Sequence, residues 1–290
     1  MRKGAVIVNA FWRGGDECAE RIREELCSRG ADVDLVRSTD VKLFIGKGLQ
    51  GTFPYDFAIY YDKDDYLARL LEQCGVRLFN RAEGVRLADD KMLTHIALAP
   101  YVRQPDTIPS PLFFAGEDDP AFLDRVERAL GYPVVVKQCF GAFGRQVRLV
   151  RDREELSAIR TALLREPHLY QRYIECGATD YRVITVGGKA VAAMKRRATA
   201  VGEFRANAEL GGMGERIDLD PETRALAETA SRVLGLEYAG VDLIKDEEGY
   251  LVTEVNSNAH FKLIEKVTGI NVAALYAEYV LSAIAEGGEV

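Results

Sequence analysis

Tryptophan, histidine and cysteine are scarce in this chain, with one, three and five copies among 290 residues. The cysteines (Cys18, Cys27, Cys74, Cys139, Cys176) are odd in number and scattered, with no CxxC pair. That excludes a disulfide framework and a zinc site, and a reduced, cytoplasmic setting is expected. The histidines His95 and His168 stand alone and read as structural, and no Ser-His-Asp or Cys-His arrangement emerges. Positive charge is also in deficit. With 38 basic against 45 acidic residues the formal charge is -7, so a broad phosphate-backbone footprint, and with it nucleic acid as main partner, is excluded. Long apolar runs are missing too: Ile270 to Ala285 is too short to cross a bilayer and carries Glu278, and the N-terminus turns polar too soon for a signal peptide. No membrane partner is expected.

What is present is a hydrophobic fraction of 48%, enough for a full core. Apolar β-branched runs at Ala5–Val8, Val33–Val36, Phe57–Tyr61 and Val76–Phe79 alternate with helical periodicity at Asp16–Arg29 and Asp64–Gln73, which predicts a parallel α/β unit. Arg86–Leu98 reads as one helix, Pro100–Pro111 as a proline-dotted connection, Leu123–Leu130 as a helix and Val134–Lys137 as a strand. Beyond Val147, hairpins and helices alternate as an α+β body. Gly187-Gly188 suits a two-residue turn between Tyr181–Val186 and Lys189–Lys195, a register that sets Asp180 opposite Lys195. Helices are expected at Pro221–Leu234 and Val272–Ala285.

Three constellations carry chemistry. Ala239–Ile244 and Tyr250–Asn256 form a hairpin. If its turn has three residues with Gly249 left-handed, Asp242 faces Glu254, Gly240 faces Asn256, and alternation puts Asp242, Glu254 and Asn256 on one face. Two carboxylates facing each other repel unless neutralised, and all-oxygen donors suit magnesium or manganese; a solvated sheet face is the plain alternative. Next, the apolar strand ending in Lys137 runs into Gly141-Ala142-Phe143-Gly144. Such a glycine loop can lay amides on phosphates while the lysine supplies a point charge, against the alternative of a hairpin whose lysine reaches solvent. The third is a basic group, Lys195, Arg196 and Arg197 with Arg205 and Asn207 beyond, suited to a transferred phosphoryl group or to simple pairing with acids. Gly46-Lys47-Gly48-Leu49-Gln50-Gly51 fits GxGxxG, but Pro54 follows and no helix starts there, so a dinucleotide site is not predicted.

In order and combination, these segments resemble the RimK-like ATP-grasp ligases, which form amide bonds on carboxyl groups. The resemblance spans about residues 75–285. It implies an ATP-grasp fold divided as 1–85 (an N-terminal parallel α/β, pre-ATP-grasp domain), 86–170 (a central subdomain with a glycine lid) and 171–290 (a subdomain with the metal site). It puts Lys91 and Lys137 on the ATP phosphates, with Gly141 and Gly144 over them. Gln171, Tyr173 and Ile174 would meet adenine, Asp180 would close the nucleotide segment, and Arg205 and Asn207, in Phe204-Arg205-Ala206-Asn207, would lie at the reacting phosphate. Asp242, Glu254 and Asn256 would hold magnesium or manganese, two ions in all. Arg182, Arg196, Ser257, Asn258 and His260 would face substrate. Gln146 stands where a third loop glycine is usual, and Ser257-Asn258-Ala259-His260-Phe261-Lys262 replaces the usual Ser-Ser-Pro-Gly. The implied activity is ADP-forming ligation of a carboxylate and an amine through an acyl-phosphate, with Arg205 and Lys137 catalytic, in a homo-oligomer. The alternative is a nonenzymatic, synapsin-like ATP-binding protein.

Overall fold

The computed structural model describes residues 3–11, 16–116, 118–141, 144–198 and 213–286. Arg205 and Asn207 lie outside them. In chain order, β1 (Lys3–Val8), α1 (Asp16–Ser28), β2 (Asp32–Arg37), β3 (Phe44–Gly46), β4 (Gly48–Gln50), β5 (Phe57–Tyr61), α2 (Asp65–Gln73) and β6 (Arg77–Phe79) come first. β1 pairs in parallel with β2 and β5, and β5 with β6, giving the order β2-β1-β5-β6. Fully buried strands explain the unbroken Ala5–Val8 and Phe57–Tyr61 runs. α1 buries Cys18, Ala19, Ile22 and Leu26 at helical spacing. The GxGxxG stretch is the small antiparallel hairpin β3–β4, with Gly46 opposite Gly48 and no helix behind it.

The expected single helix at 86–98 is two: α3 (Ala82–Asp89) and α4 (Lys91–Leu98). Asp90 breaks them, because its carboxylate accepts the free amides of Met92 and Leu93 as a cap, which competes with helix continuation. The connection that follows carries a strand, β7 (Thr107–Pro109). With α5 (Ala121–Leu130), β8 (Val134–Gln138), β9 (Val147–Val150), α6 (Arg153–Leu163) and β10 (His168–Arg172) it builds an antiparallel sheet in the order β7-β10-β8-β9.

The last sheet, order β13-β12-β11-β14-β15, consists of β11 (Thr179–Val186), β12 (Lys189–Arg197), β13 (Met213–Arg216), β14 (Tyr238–Asp246) and β15 (Gly249–Asn256). α7 (Pro221–Val233), α8 (Lys262–Thr268) and α9 (Val272–Glu286) flank it. Gly187 and Gly188 both take positive φ, 56° and 73°, as the two-residue turn requires. Further along, however, Val191 is an extra residue on β12: Thr185 faces Ala190, but Ile184 faces Ala192. This bulge moves every later pair by one, so Asp180 faces Arg196 and not Lys195. The β14–β15 turn is also corrected. It has two residues, Glu247 and Glu248, between paired Asp246 and Gly249, and Gly249 has φ 135°, outside the left-handed helical region. Thr253 is the extra residue here, and it restores the pairing of Asp242 with Glu254 and of Gly240 with Asn256. Among the described residues no single helix is long and apolar enough to cross a membrane.

Candidate active site

Asp242 and Glu254 face each other across β14 and β15, with Asn256 two residues further along. Neither acid is left uncompensated, as the repulsion between them requires. Lys91, buried at the first turn of α4, sets its Nζ 3.6 Å from Glu254 Oε1 and donates to the Gly141 carbonyl at 3.2 Å. Burial opposes the charge on Glu254, but Lys91, helped by Lys63 and Lys137, holds its carboxyl below the usual range.

Asp242 is gripped more firmly. Arg182 Nε donates to Oδ1 at 2.7 Å and Nη2 to Oδ2 at 2.5 Å, while Arg196 Nη2 lies 3.1 Å from Oδ1. Arg196 in turn forks onto Asp180, at 2.6 Å for both bonds. These are planar, paired contacts that lysine does not make. Burial works against the Asp242 charge, yet the two guanidiniums keep its carboxyl below normal. For Asp180 burial wins and its carboxyl is raised despite Arg196. The four side chains sum to zero formal charge, the condition under which buried ions persist.

Lys137 follows the buried residues of β8, with Glu254, Lys91 and Asp242 as its charged neighbours. Burial, with Lys91 adding to it and Glu254 opposing, pulls its ammonium down to about 8. His95, beside it, is a satisfied core residue. Gln104 Oε1 can only accept, so Nδ1 carries the proton at 2.5 Å, and Nε2 accepts from Gln171 at 3.1 Å. Burial and then Lys137 lower the ring to about 4, which keeps it neutral. Gln171 therefore spends its side chain on His95 and Thr107. His168 is likewise engaged, by the Glu166 carbonyl and the Tyr170 hydroxyl.

A family model described as the RimK-like ATP-grasp domain matches residues 88–280. The chain belongs to that family. Its relatives include human N-acetylaspartylglutamate synthase A, 34% identical over 229 residues, which are 78% of this chain and 57% of that protein. A probable alpha-L-glutamate ligase from Aliivibrio fischeri (strain MJ11) is 36% identical over 215 residues, covering 73% and 69% respectively. The chain thus spans little more than half the length of the first of these relatives. Its fold follows that of a RimK domain ATP-grasp protein from Sphaerobacter thermophilus DSM 20745, with a TM-score of 0.73 at 22% identity over 96% of this chain and 98% of that one.

An ATP-grasp member binds ATP with magnesium, and the donors present fit a hard cation. Among the described residues no three His, Cys, Asp or Glu side chains converge, so Asn256 and phosphate oxygens would complete the shell of Asp242 and Glu254. The segment after β10 opens on a cleft of about 630 Å³ whose lining includes Tyr173, Ile174, Tyr181, Lys195 and Arg197. The basic run of this RimK-like chain therefore divides: Arg196 faces the acids, and its neighbours face the cleft. Gly141 takes φ 145°, and Gln146 packs over it: a Cβ there would come within 2.5 Å of the Gln146 Oε1.

The loop after β15 is fixed by residues the sequence pattern did not single out. Asn80, fully buried, donates to the carbonyls of Tyr238 and Ser257 at 2.7 and 2.9 Å, and its own oxygen accepts from the amides of Glu237 and Tyr238. The Tyr61 and Tyr238 hydroxyls both donate to the Ala259 carbonyl, at 2.9 and 2.6 Å. Tyr61 also stacks with His260, whose ring is lowered by burial and then by Arg182. Gly240 admits the loop, since a Cβ would stand 2.4 Å from that of Ala259. Held this way, Ser257 is buried with its hydroxyl unpaired. Only the tertiary contacts of Asn80 reveal its use.

Proposed function

We propose that the protein is an ADP-forming carboxylate–amine ligase that attaches an amino acid, glutamate first among candidates, to a small acid or peptide. The observation that carries this reading is the facing pair Asp242 and Glu254, with Asn256 beside them, the buried amine of Lys91 and the half-buried Lys137 alongside. Magnesium, or manganese in its place, would be held by the three oxygen-bearing side chains, with two ions in all. The ion supplies charge neutralisation at the phosphates. Lys91 and Lys137 hold the phosphates in line, and Arg205 with Asn207 steadies the group in transfer. A substrate carboxylate oxygen attacks the γ-phosphorus, the bond to the β-γ bridging oxygen breaks, and ADP leaves. The amine then adds to the acyl carbon and inorganic phosphate departs. Such a transfer rests on positioning and electrostatics, which accounts for the lack of a nucleophile triad. The Gly141–Gly144 loop is proposed as the lid that keeps water from the acyl-phosphate. The names of the relatives point to glutamate as the amine and to N-acetylated or citrate-like acids as acceptors.

The test is ADP release by purified protein with magnesium and ATP, screened against single amino acids, small di- and tricarboxylates, and pairs. Stimulation by one pair, lost in Glu254→Ala, is expected. Nucleotide binding without stimulation by any pair would favour a nonenzymatic sensor.

A further inference from the structure

We propose that Arg182 is an exchangeable counter-ion. It occupies Asp242 until a metal–nucleotide complex arrives, then yields the carboxylate and stands as a free guanidinium ready for an anionic substrate. The proposal rests on the ligase reading only for what the freed arginine then binds. The exchange itself follows from the ion cluster.

The two arginines on Asp242 are not equivalent. Arg196 keeps a fork on Asp180 at 2.6 Å whatever happens to Asp242. For Arg182, Asp242 is the only carboxylate partner among the described residues, and its bonds at 2.7 and 2.5 Å use both oxygens. The cluster is already neutral, so a divalent ion at Asp242 leaves two positive charges in excess. Arg182 is the side chain with no second acid to fall back on. Its side chain is 12% exposed and that of Asp242 7%, so the displaced charge is not absorbed by solvent and needs an anion.

The surroundings provide a place for one. A Cβ on Gly240 would lie 3.6 Å from Arg182 Nε and closer still to Ala259, so Arg182 runs beside the loop after β15. That loop carries Ser257, a buried hydroxyl without a partner. Arg182 beside a loop that holds a buried hydroxyl with no partner among the described residues supplies the kinds of donor a carboxylate needs. That set of donors is available only after the metal is in, which imposes an order: metal–nucleotide first, anionic substrate second.

The experiment is manganese binding, read by the paramagnetic signal of free Mn²⁺, with the full chain in the absence of any substrate. Without nucleotide, Arg182→Gln is expected to bind Mn²⁺ at least about tenfold more tightly than the parent, and Arg182→Lys to fall between them. With the non-hydrolysable analogue AMPPNP present, Arg182→Gln should again bind Mn²⁺ more tightly than the parent, because the same carboxylate has to be vacated. Equal or weaker binding by a folded Arg182→Gln without nucleotide overturns the proposal. A crystal structure of the unaltered chain with Mn²⁺ and AMPPNP provides a test that needs no variant. Asp242 on the metal with Arg182 more than about 3.5 Å away is expected; Arg182 still forked on a metal-bound Asp242 refutes the exchange. Neither readout depends on turnover, so a failed ligase assay leaves this result standing.

Discussion

The hairpins β11–β12 and β14–β15 are built to one plan. Each turns in two residues and each takes in one extra residue, Val191 or Thr253, part-way down one strand. Their outcomes differ. In β11–β12 the bulge carries Arg196 into line with Asp180 and turns Lys195 toward the cleft beside Tyr173 and Ile174. In β14–β15 it brings two acids face to face, and Thr253 secures the shift by donating its hydroxyl to the Asp242 carbonyl at 3.1 Å. The first hairpin thus ends in an opposite-charge pair that needs nothing more, the second in a like-charge pair that is stable only with cations from elsewhere. Bulges, more than turns, decide which groups meet in this site.

Removing an acid from each hairpin tests that asymmetry most severely. Asp242→Asn leaves Arg182 without a carboxylate and takes one from Arg196. It should reduce metal-dependent ADP formation by about a hundredfold or more and stability by about 3–5 kcal/mol in urea unfolding. Asp180→Asn leaves Arg196 on Asp242, so the loss should be nearer 1–3 kcal/mol. Equal losses would break the distinction between the hairpins.

A pH profile separates the arginine cluster from the strand lysine. The guanidiniums keep their charge throughout, whereas Lys137 titrates near 8. Below that pH it is charged and holds phosphate; above it the contact weakens. ATP affinity, followed by fluorescence between pH 7 and 9.5, should fall about tenfold, and Lys137→Arg should flatten the curve. Bound phosphate will move the midpoint upward, so a midpoint below 8 would contradict the assignment.

Gly240→Ala presses a methyl group on Ala259, and a destabilisation of about 1–3 kcal/mol is expected, with substrate KM affected more than ATP affinity. The smallest effect should come from Thr253→Val, about 1 kcal/mol for the lost hydroxyl bond. A much larger loss would mean that the bulge itself depends on that bond.

Much of this architecture is legible in the residue pattern. The buried strands of the parallel sheet, the Gly187-Gly188 turn and the pairing of Asp242 with Glu254 all follow from periodicity and glycine chemistry. The last was reached through a different turn, because a three-residue turn and a two-residue turn plus bulge leave the same residues opposite. Nothing local announces a bulge at Val191, so the Gly187-Gly188 turn alone points to Lys195 and not Arg196 opposite Asp180. The helix break at Asp90 is a capping preference that apolar periodicity conceals. Asn80, Tyr61 and Tyr238 escape for another reason: their partners lie up to 198 residues away, and a hydrogen bond of that range leaves no local trace. The roles of Arg205 and Asn207 rest on resemblance alone, since both lie outside the described residues.

The core containing Val6, Ile22, Phe57 and Phe79 is the same one that contains Ile184, Tyr238, Tyr276 and Val280. The apolar cluster of Ile108, Leu123, Val136 and Tyr170, by contrast, draws only on residues between 108 and 170. The chain is therefore divided by packing differently from its order. Protease nicks near 99–106 and 173–178 should liberate a piece that keeps its own interior, whereas a nick at 81 should release nothing until the whole remainder melts.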